Sequence, residues 1–248
     1  ETNTTVAPIG WTQLGSDIDG EASDDQSGYS VSLSSDGTIV AIGANVNAGN
    51  GSNSGHVRVY QYSNNTWTQL GSDIDGEAAG DYSGYSVSLS SNGLTVAIGA
   101  ILNDGNGSNA GHVRVYQRDE TNTTVAPIGW TQLGSDIDGE ASDDRSGYSV
   151  SLSSDGTIVA IGAPSNVDDN GNRTGHVRVY QISDDTNTTV LVNNDFLTVN
   201  EGISLMADAP ASSTSSGTTG EIRVDDAYIY VCTATNTWKR VVLSDTTW

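Results

Sequence analysis

The chain has 248 residues, of which 31 are acidic and 9 are lysine or arginine, so its formal net charge is −22. Such a surface repels nucleic-acid phosphates and anionic lipids, so we expect no nucleic-acid partner. The sequence contains no run of 18 apolar residues, and we expect no membrane insertion. With 29 glycines and only 4 prolines, the composition is typical of a turn-rich all-β protein.

Most of the chain is an internal repeat. Residues 1–44 recur at 120–163 with a single change, from Gln26 to Arg145. The sequence WTQLGSDIDGE, named the connecting segment below, begins at Trp11, Trp67 and Trp130. We therefore predict three repeats, a transition and a small C-terminal β module, at residues 1–66, 67–118, 119–184, 185–220 and 221–248. An enzyme needs one set of reacting groups, so this duplication favours a structural or binding protein.

Each repeat begins with a predicted β-hairpin. In the first repeat, Tyr29, Val31 and Leu33 alternate with serines, which is the period of a half-buried strand. Asp-Gly or Asn-Gly follows in all three copies, at Asp36, Asn92 and Asp155. Both positions of such a pair tolerate positive φ, so the pair predicts a tight hairpin turn.

Three predicted strands follow the first one in each repeat, and the first of these three completes the hairpin. The sequence IVAIGA is apolar on both faces, as expected of a strand that is covered on two sides. A variable loop and the sequence GHVRVYQ follow, and TWTQLG supplies a fourth strand. Four strands in about 60 residues match the size of a propeller blade, so we predict tandem four-stranded propeller-blade-like repeats.

The sequence SGYSVSLSSDGTIVAIGA resembles the FG-GAP repeat, which occurs in the propeller of integrin α chains and in microbial surface proteins. Gly28 and Tyr29 stand near the "FG" element, and residues 162–164 match "GAP". The resemblance covers roughly residues 11–181 and implies blades of a β-propeller. Integrin-type propellers close with seven blades, so three repeats leave three alternatives: further blades upstream, blades pooled by several chains, or an open array.

The calcium site of the FG-GAP family is not expected here. Calcium-binding members carry a long loop rich in Asp and Asn between the two central strands. This chain has only Ser-Ser-Asp-Gly at that place, which is too short to supply six or more oxygen ligands.

The C-terminal sequence GEIRVDDAYIYVCTATNTWKRVVL predicts three short strands, with turns at Asp225-Asp226 and at 234–236. About 30 residues bury too little surface to fold alone, so we expect this module to dock on another surface. The module resembles the C-terminal ends of fibre and other structural proteins of marine bacteriophage virions. The resemblance implies a virion component.

The acidic turns of the connecting segments are predicted metal sites. Asp-x-Asp-Gly-Glu crowds carboxylates around a flexible glycine, as calcium loops do. The alternative is a solvated turn whose side chains form local hydrogen bonds. No cofactor is required, and calcium is the ion considered. The predicted ligands are Asp17, Asp19, Glu21, Asp73, Asp75, Glu77, Asp136, Asp138 and Glu140.

The variable loops at 45–54, 101–110 and 164–174 are predicted ligand-contact loops, because variable loops on a repeated frame often bind ligands. The alternative is drifting spacers without a function. The candidate contacts are Asn47, Asn50, Asn53, Asn103, Asp104, Asn106, Asp168, Asp169 and Asn170. His56, His112 and His176 follow glycine at one repeat position, and we predict a structural role for them.

The sequence predicts a protein that is not an enzyme. It contains no Gly-x-Ser-x-Gly motif and no Ser-His-Asp set outside the repeat. Carboxylate pairs for glycoside cleavage can be drawn from the acidic turns, but so many pairs fit that none is specific.

We therefore expect a non-enzymatic structural and adhesion protein on the virion surface, such as a phage tail fibre that attaches to a host-surface glycan or protein. We expect a homo-oligomer, with a trimer favoured, or assembly with other virion proteins. The second interpretation is an extracellular, calcium-dependent FG-GAP-like adhesin on the surface of a microbe or alga. The third is an enzyme that acts on polysaccharide.

Overall fold

The computed structural model describes residues 10–182 and, beyond them, residues 192–193, 196–197, 206–207, 222–224, 228–235 and 237–242. All regular structure in these ranges is β-strand, which confirms the all-β fold class. None of the described residues forms a helix that is long and apolar enough to cross a membrane. The chain divides into two compact units, Glu1–Ile182 and Ser183–Trp248.

The first sheet of the larger unit is antiparallel. It consists of β1 (Ser30–Leu33), β2 (Ile39–Ala44), β3 (His56–Ser63) and β4 (Thr66–Gln69), and β5 (Ile74–Asp75) also pairs with β3. The predicted hairpin joins β1 to β2. Its turn is fixed by Asp36, whose Oδ1 accepts hydrogen bonds from the Ser34 hydroxyl at 2.7 Å and the Thr38 amide at 3.0 Å.

The second and third sheets repeat this plan. The second sheet contains β6 (Ser83–Leu89), β7 (Thr95–Ala100) and β8 (His112–Arg118), and both β9 (Trp130–Gln132) and β10 (Ile137–Asp138) pair with β8. The third contains β11 (Ser149–Leu152), β12 (Ile158–Ala163) and β13 (His176–Gln181). In the first two sheets, the connecting segment of one sequence repeat therefore supplies the outer strands to the sheet of the preceding repeat.

Neighbouring sheets pack through apolar faces. Val87 and Leu89 on β6 share a core with Val57 and Val59 on β3. Leu152 on β11 packs in the same manner against a cluster that contains β8 residues. Burial of these side chains supplies the main stabilising term of the array.

The polar faces of the hairpins also link the sheets. The Ser32 hydroxyl accepts a hydrogen bond from the Leu89 amide at 2.9 Å, and the Ser88 hydroxyl accepts one from the Leu152 amide at 2.9 Å. Tyr29, Tyr85 and Tyr148 stack in a row, with ring centroids 5.0 and 5.1 Å apart. The alternating serines thus bond to the next repeat rather than to solvent alone.

Close approach of the sheets requires glycine at the end of the second strand. A Cβ atom on Gly99 would lie 2.1 Å from the carbonyl oxygen of Gly147 on the next repeat. This contact explains why the sequence IVAIGA ends in small residues. The propeller-blade form of the repeats stays a prediction, and the three alternatives for their closure stay open.

The smaller unit is also built of strands. β14 (Val192–Asn193) pairs with β15 (Phe196–Leu197), and β16 (Met206–Ala207) runs parallel to β17 (Ile222–Val224). β17, β18 (Tyr228–Ala234) and β19 (Thr237–Val242) form an antiparallel meander at the positions expected from the sequence. Cys232 on β18 is buried.

Candidate functional site

The connecting segments bring their carboxylates to the start of the third strand in each sheet. On the first sheet, Ile74 pairs with Val57 and Asp75 pairs with His56. The side-chain amide of Gln69 donates to Asp73 Oδ1 at 2.6 Å and orients that carboxylate. The acidic turn therefore lies beside the histidine that opens β3.

Glu77, His112 and Asp136 meet at the junction of the first and second sheets. His112 Nδ1 lies 3.8 Å from Glu77 Oε2, 3.9 Å from Asp136 Oδ2 and 4.0 Å from Asp138 Oδ1. These distances are too long for direct hydrogen bonds. His112 is only 1% exposed, and neither of its ring nitrogens has a hydrogen-bond partner among the described residues.

The same arrangement occurs one repeat earlier. His56 Nδ1 lies 3.8 Å from both Glu21 Oε2 and Asp73 Oδ2. In the third repeat, His176 Nδ1 lies 3.5 Å from Glu140 Oε2. Within the described ranges, this third cluster has no second carboxylate, because the third sheet there carries no connecting segment.

The carboxylates of one acidic turn go to different clusters. Asp73 lies beside His56, whereas Glu77 of the same turn lies beside His112. Asp17 is exposed and accepts a hydrogen bond from the Gln13 side chain at 2.8 Å. The backbone carbonyl of Asp19 accepts from Arg58 Nη2 at 2.7 Å. The predicted ligands thus combine between turns, with one histidine in each cluster.

Sequence reasoning did not group the histidines with the acidic turns. Each cluster takes its glutamate from one connecting segment, its histidine from the following third strand and its aspartate from the next connecting segment. The only signal for this grouping is that all three residue types recur at fixed repeat positions.

Burial and neighbouring charges shape the electrostatics of the clusters. Burial lowers the pKa of His112, and the Arg114 guanidinium lowers it further, while Asp136 acts in the opposite direction. Burial likewise raises the pKa values of Glu77 and Asp75 above their ordinary range. Arg114 Nη1 lies 3.6 Å from Glu77 Oε1. The imidazole is therefore favoured in its neutral form, which retains a lone pair on one ring nitrogen.

Three of the predicted ligand-contact residues are held by hydrogen bonds, two within a repeat and one between repeats. Asn47 and Asn103 are buried and donate to the carboxylates of Asp25 and Asp81, at 3.0 and 3.1 Å. Asn50 Nδ2 donates to the backbone carbonyls of residues 76 and 77, each at 2.9 Å.

The other predicted contact residues include two more that bridge repeats. The Asn106 side chain donates to the Gly139 carbonyl at 2.8 Å, and Asn53 contacts the Tyr82 hydroxyl at 3.2 Å. Asp104 accepts from the Asn109 amide at 2.7 Å, and Asp168 accepts from the Asn170 amide at 3.0 Å. Asp169 is exposed.

A cleft of about 910 Å³ lies between the acidic turn of the second connecting segment and the segment 119–129. Its walls combine apolar side chains such as Pro127 and Trp130 with polar and charged ones, which include Asn50, Asp75, Glu77, Arg114, Asp119 and Thr121. Val125, which is 67% exposed, also lines the cleft.

Comparison with known proteins gives partial matches. Residues 73–116 match the FG-GAP repeat family. Depolymerase 1, capsule K30/K69-specific, of Klebsiella phage K5-2 is 66% identical over 35 residues, which cover 14% of this chain and 4% of that protein. The capsule K30/K69-specific depolymerase of Klebsiella phage K64-1 is 33% identical over 93 residues, which cover 37% of this chain and 12% of that protein.

Among solved structures, the tricorn protease matches with a TM-score of 0.36 and 11% identity, over 82% of this chain and 18% of that chain. A match at this level supports no conclusion about fold. The family match confirms the FG-GAP resemblance over one repeat, and the two relatives connect the chain with phage proteins. The chain spans only a small fraction of the length of either relative.

The prediction that the protein is not an enzyme is contradicted, because both relatives are named as capsule-specific depolymerases. The prediction gave too much weight to the lack of a linear motif. Polysaccharide cleavage needs carboxyl groups that the fold brings together, and such groups leave no local signature in the sequence. The argument from duplication concerns only the repeated residues, whereas the matched regions make up 4% and 12% of the two relatives.

Proposed function

We propose that the chain is the repeat-bearing part of a phage virion surface protein that degrades host capsular polysaccharide, and that its repeats contact the polysaccharide. The observation that carries this proposal is the 66% identity over 35 residues to a capsule-specific depolymerase. A second match, over 93 residues, has the same capsule specificity in its name. Neither relative supports the alternative of a cellular adhesin.

The cleft supports this role. Its volume of about 910 Å³ is in the range of small-molecule sites and suits a short oligosaccharide. Asn50 and Thr121 offer hydrogen-bonding groups at its walls, and Asp75 and Glu77 are carboxyl groups whose pKa values burial raises. A raised carboxyl pKa is the property required of the general acid in glycoside cleavage.

The test is to incubate the purified chain with capsular polysaccharide of the K30 and K69 types and with an unrelated capsule. Binding is measured by calorimetry, and cleavage is measured by the size of the polysaccharide and by new reducing ends. Cleavage places the reacting groups within this chain. Selective binding without cleavage assigns recognition to these repeats. If neither polysaccharide is bound or cleaved, the proposal is overturned.

Two variants locate the contact. Val125→Trp fills the mouth of the cleft without touching the buried core, so we expect at least a tenfold loss of affinity. Val167→Trp is the matched control, because Val167 is 50% exposed and lies outside the cleft. Equal affinities of the two variants would place the contact elsewhere on the repeats.

A further inference from the structure

We infer that Glu77, His112 and Asp136 bind one divalent transition-metal ion of the zinc or manganese type, and that Glu21, His56 and Asp73, which have the same geometry, bind a second. Each ion would join two successive connecting segments through the third strand between them. Glu77 also lines the cleft, so this proposal is tested by metal content and unfolding, which do not depend on any action on polysaccharide.

The geometry of the clusters suits a shared ion. In each cluster, the histidine nitrogen and the two carboxylate oxygens all lie within 4.8 Å of one another. Ligands at about 2.0–2.2 Å from a zinc ion lie roughly 3.0–3.6 Å apart. The distances of 3.8 and 3.9 Å around His112 therefore require only small side-chain rotations to close on an ion.

The unpartnered imidazole of His112 is the second, independent observation. Both ring nitrogens are buried and lack hydrogen-bond partners in the described part of the chain, and Nδ1 faces three carboxylates. A buried polar group without a partner costs free energy, as does a group of like charges. An ion at this point gives Nδ1 a partner and offsets the repulsion among the carboxylates.

The donor set selects the kind of ion. Calcium takes oxygen ligands, whereas zinc and manganese accept imidazole nitrogen together with carboxylate oxygen. The participation of histidine therefore points away from the calcium that the acidic turns alone suggest. A site with two carboxylates and one imidazole also leaves room for water to complete the coordination.

The test is equilibrium dialysis of chelator-treated full chain against zinc chloride and, separately, manganese chloride, followed by elemental analysis. Compared with wild type, His112→Gln should lose one ion per chain, and the double variant His56→Gln/His112→Gln should lose two. Asp169→Asn is the control, because it removes an exposed carboxylate outside all the clusters.

Thermal unfolding provides the second readout. The metal should raise the unfolding midpoint of wild type and of Asp169→Asn, and should raise it less in His112→Gln. If His112→Gln does not fold, Glu77→Gln, in which the altered side chain is 43% exposed in the wild type, replaces it. Wild type that retains neither metal, or variants that retain as much as wild type, would overturn the inference.

A different observation carries a second proposal. We propose that copies of the chain pair head to tail, with residues 11–21 of one copy completing the third sheet of another. β3 and β8 each carry a connecting segment, whereas β13 carries none in the described ranges. Trp11, which opens the first connecting segment, is fully exposed at 101%, whereas its equivalent Trp130 is 1% exposed.

The array ends in two exposed apolar faces, one on β1 and one on β13. Each carries the same residues as one side of the junction between the first and second sheets. Val31 and Leu33 are 63% and 59% exposed, although their equivalents on β6 are buried in the first junction. Val177 and Val179 are 68% and 64% exposed, although Val57 and Val59, their equivalents on β3, form the other side of that junction. A second copy carries both faces, so it is the occupant that the internal junctions specify. The contact is heterologous and adds a strand to an open sheet edge.

Sedimentation velocity of the full chain over a range of concentrations tests this pairing. Wild type should associate, whereas Val31→Glu/Leu33→Glu and Val177→Glu/Val179→Glu should each remain monomeric. A mixture of the two variants keeps one intact face of each kind and should stop at a dimer. Val125→Glu, at an exposed position that lines the cleft rather than either face, should associate like wild type. Monomeric wild type, or variants that associate normally, would exclude the pairing.

Discussion

The indole nitrogen of Trp130 lies 2.8 Å from the carbonyl oxygen of Leu70, and this hydrogen bond ties the third sequence repeat to the second. Trp67 donates to the Leu14 carbonyl in the same way, also at 2.8 Å. The outer strand of each of the first two sheets is thus held both by its own sheet and by the preceding connecting segment. Because of this coupling, the unfolding of one repeat removes the interface that stabilises its neighbour, as in other repeat arrays.

Replacing Trp130 tests the strength of this coupling. Trp130→Ala removes a fully buried indole and its hydrogen bond, so we expect the free energy of unfolding to fall by about 3–5 kcal/mol. The matched control is Trp11→Ala, whose exposed indole should leave stability within about 0.5 kcal/mol at high dilution. Urea unfolding followed by circular dichroism measures both, and equal stabilities would show that the bond does not join the repeats.

Glycine at the sheet junction is a second target. Gly99→Ala places a methyl group against the Gly147 backbone, which cannot rotate away, so we expect a loss of about 1–3 kcal/mol. In Gly162→Ala the nearest atom is the Ser149 hydroxyl oxygen, at 2.4 Å, and a side chain can move. The loss should therefore be clearly smaller at position 162, as measured by thermal and urea unfolding. The reverse order would contradict the packing described for this junction.

The hairpin aspartates predict that the stability of the protein falls in acid. Hydrogen bonds from Ser34 and Thr38 lower the pKa of Asp36 to about 2, and equivalent bonds lower that of Asp155 to about 2. A folded-state pKa below the unfolded value means that this stabilisation is present above about pH 4 and is lost as the pH falls toward 2.

Asparagine provides the control for this pH dependence, because Asn92 already occupies the equivalent turn and accepts the same bonds. The double variant Asp36→Asn/Asp155→Asn should lose less stability than wild type between pH 4 and pH 2. If wild type and the double variant lose the same stability between pH 4 and pH 2, the hydrogen bonds of the turn do not depend on the charge of the aspartates.

The hairpins and the strand order could be predicted because they rest on local signals. Alternating serines and the Asp36-Gly37 turn specify β1 and β2 without reference to the rest of the chain. The clusters of glutamate, histidine and aspartate could not be predicted in this way. Glu77 and Asp136 come from different repeats, and only the pairing of β10 with β8 brings Asp136 to His112.

The roles of residues in the variable loops also could not be predicted from local sequence. Variation between copies suggested ligand contact at Asn103, but the residue is buried against Asp81. A loop can vary in its exposed positions and keep an invariant bond to its neighbour. The loop sequences alone do not show which asparagines are buried and which are exposed, since asparagine is frequent throughout the loops.

Substitutions at Asn103 and Asp169 therefore test which loop residues stabilise the fold and which are available to a ligand. The Asn103 side chain donates to the buried carboxylate of Asp81, which also accepts from the Ala78 amide at 2.9 Å. Asn103→Ala leaves this carboxylate short of a donor, so we expect a loss of about 1–3 kcal/mol in the free energy of unfolding. Asp169→Ala removes an exposed side chain and should change stability by less than about 0.5 kcal/mol. Urea denaturation measures both variants. If Asn103→Ala is as stable as Asp169→Ala, the amide is not needed by Asp81, and the loop position is free to contact a ligand.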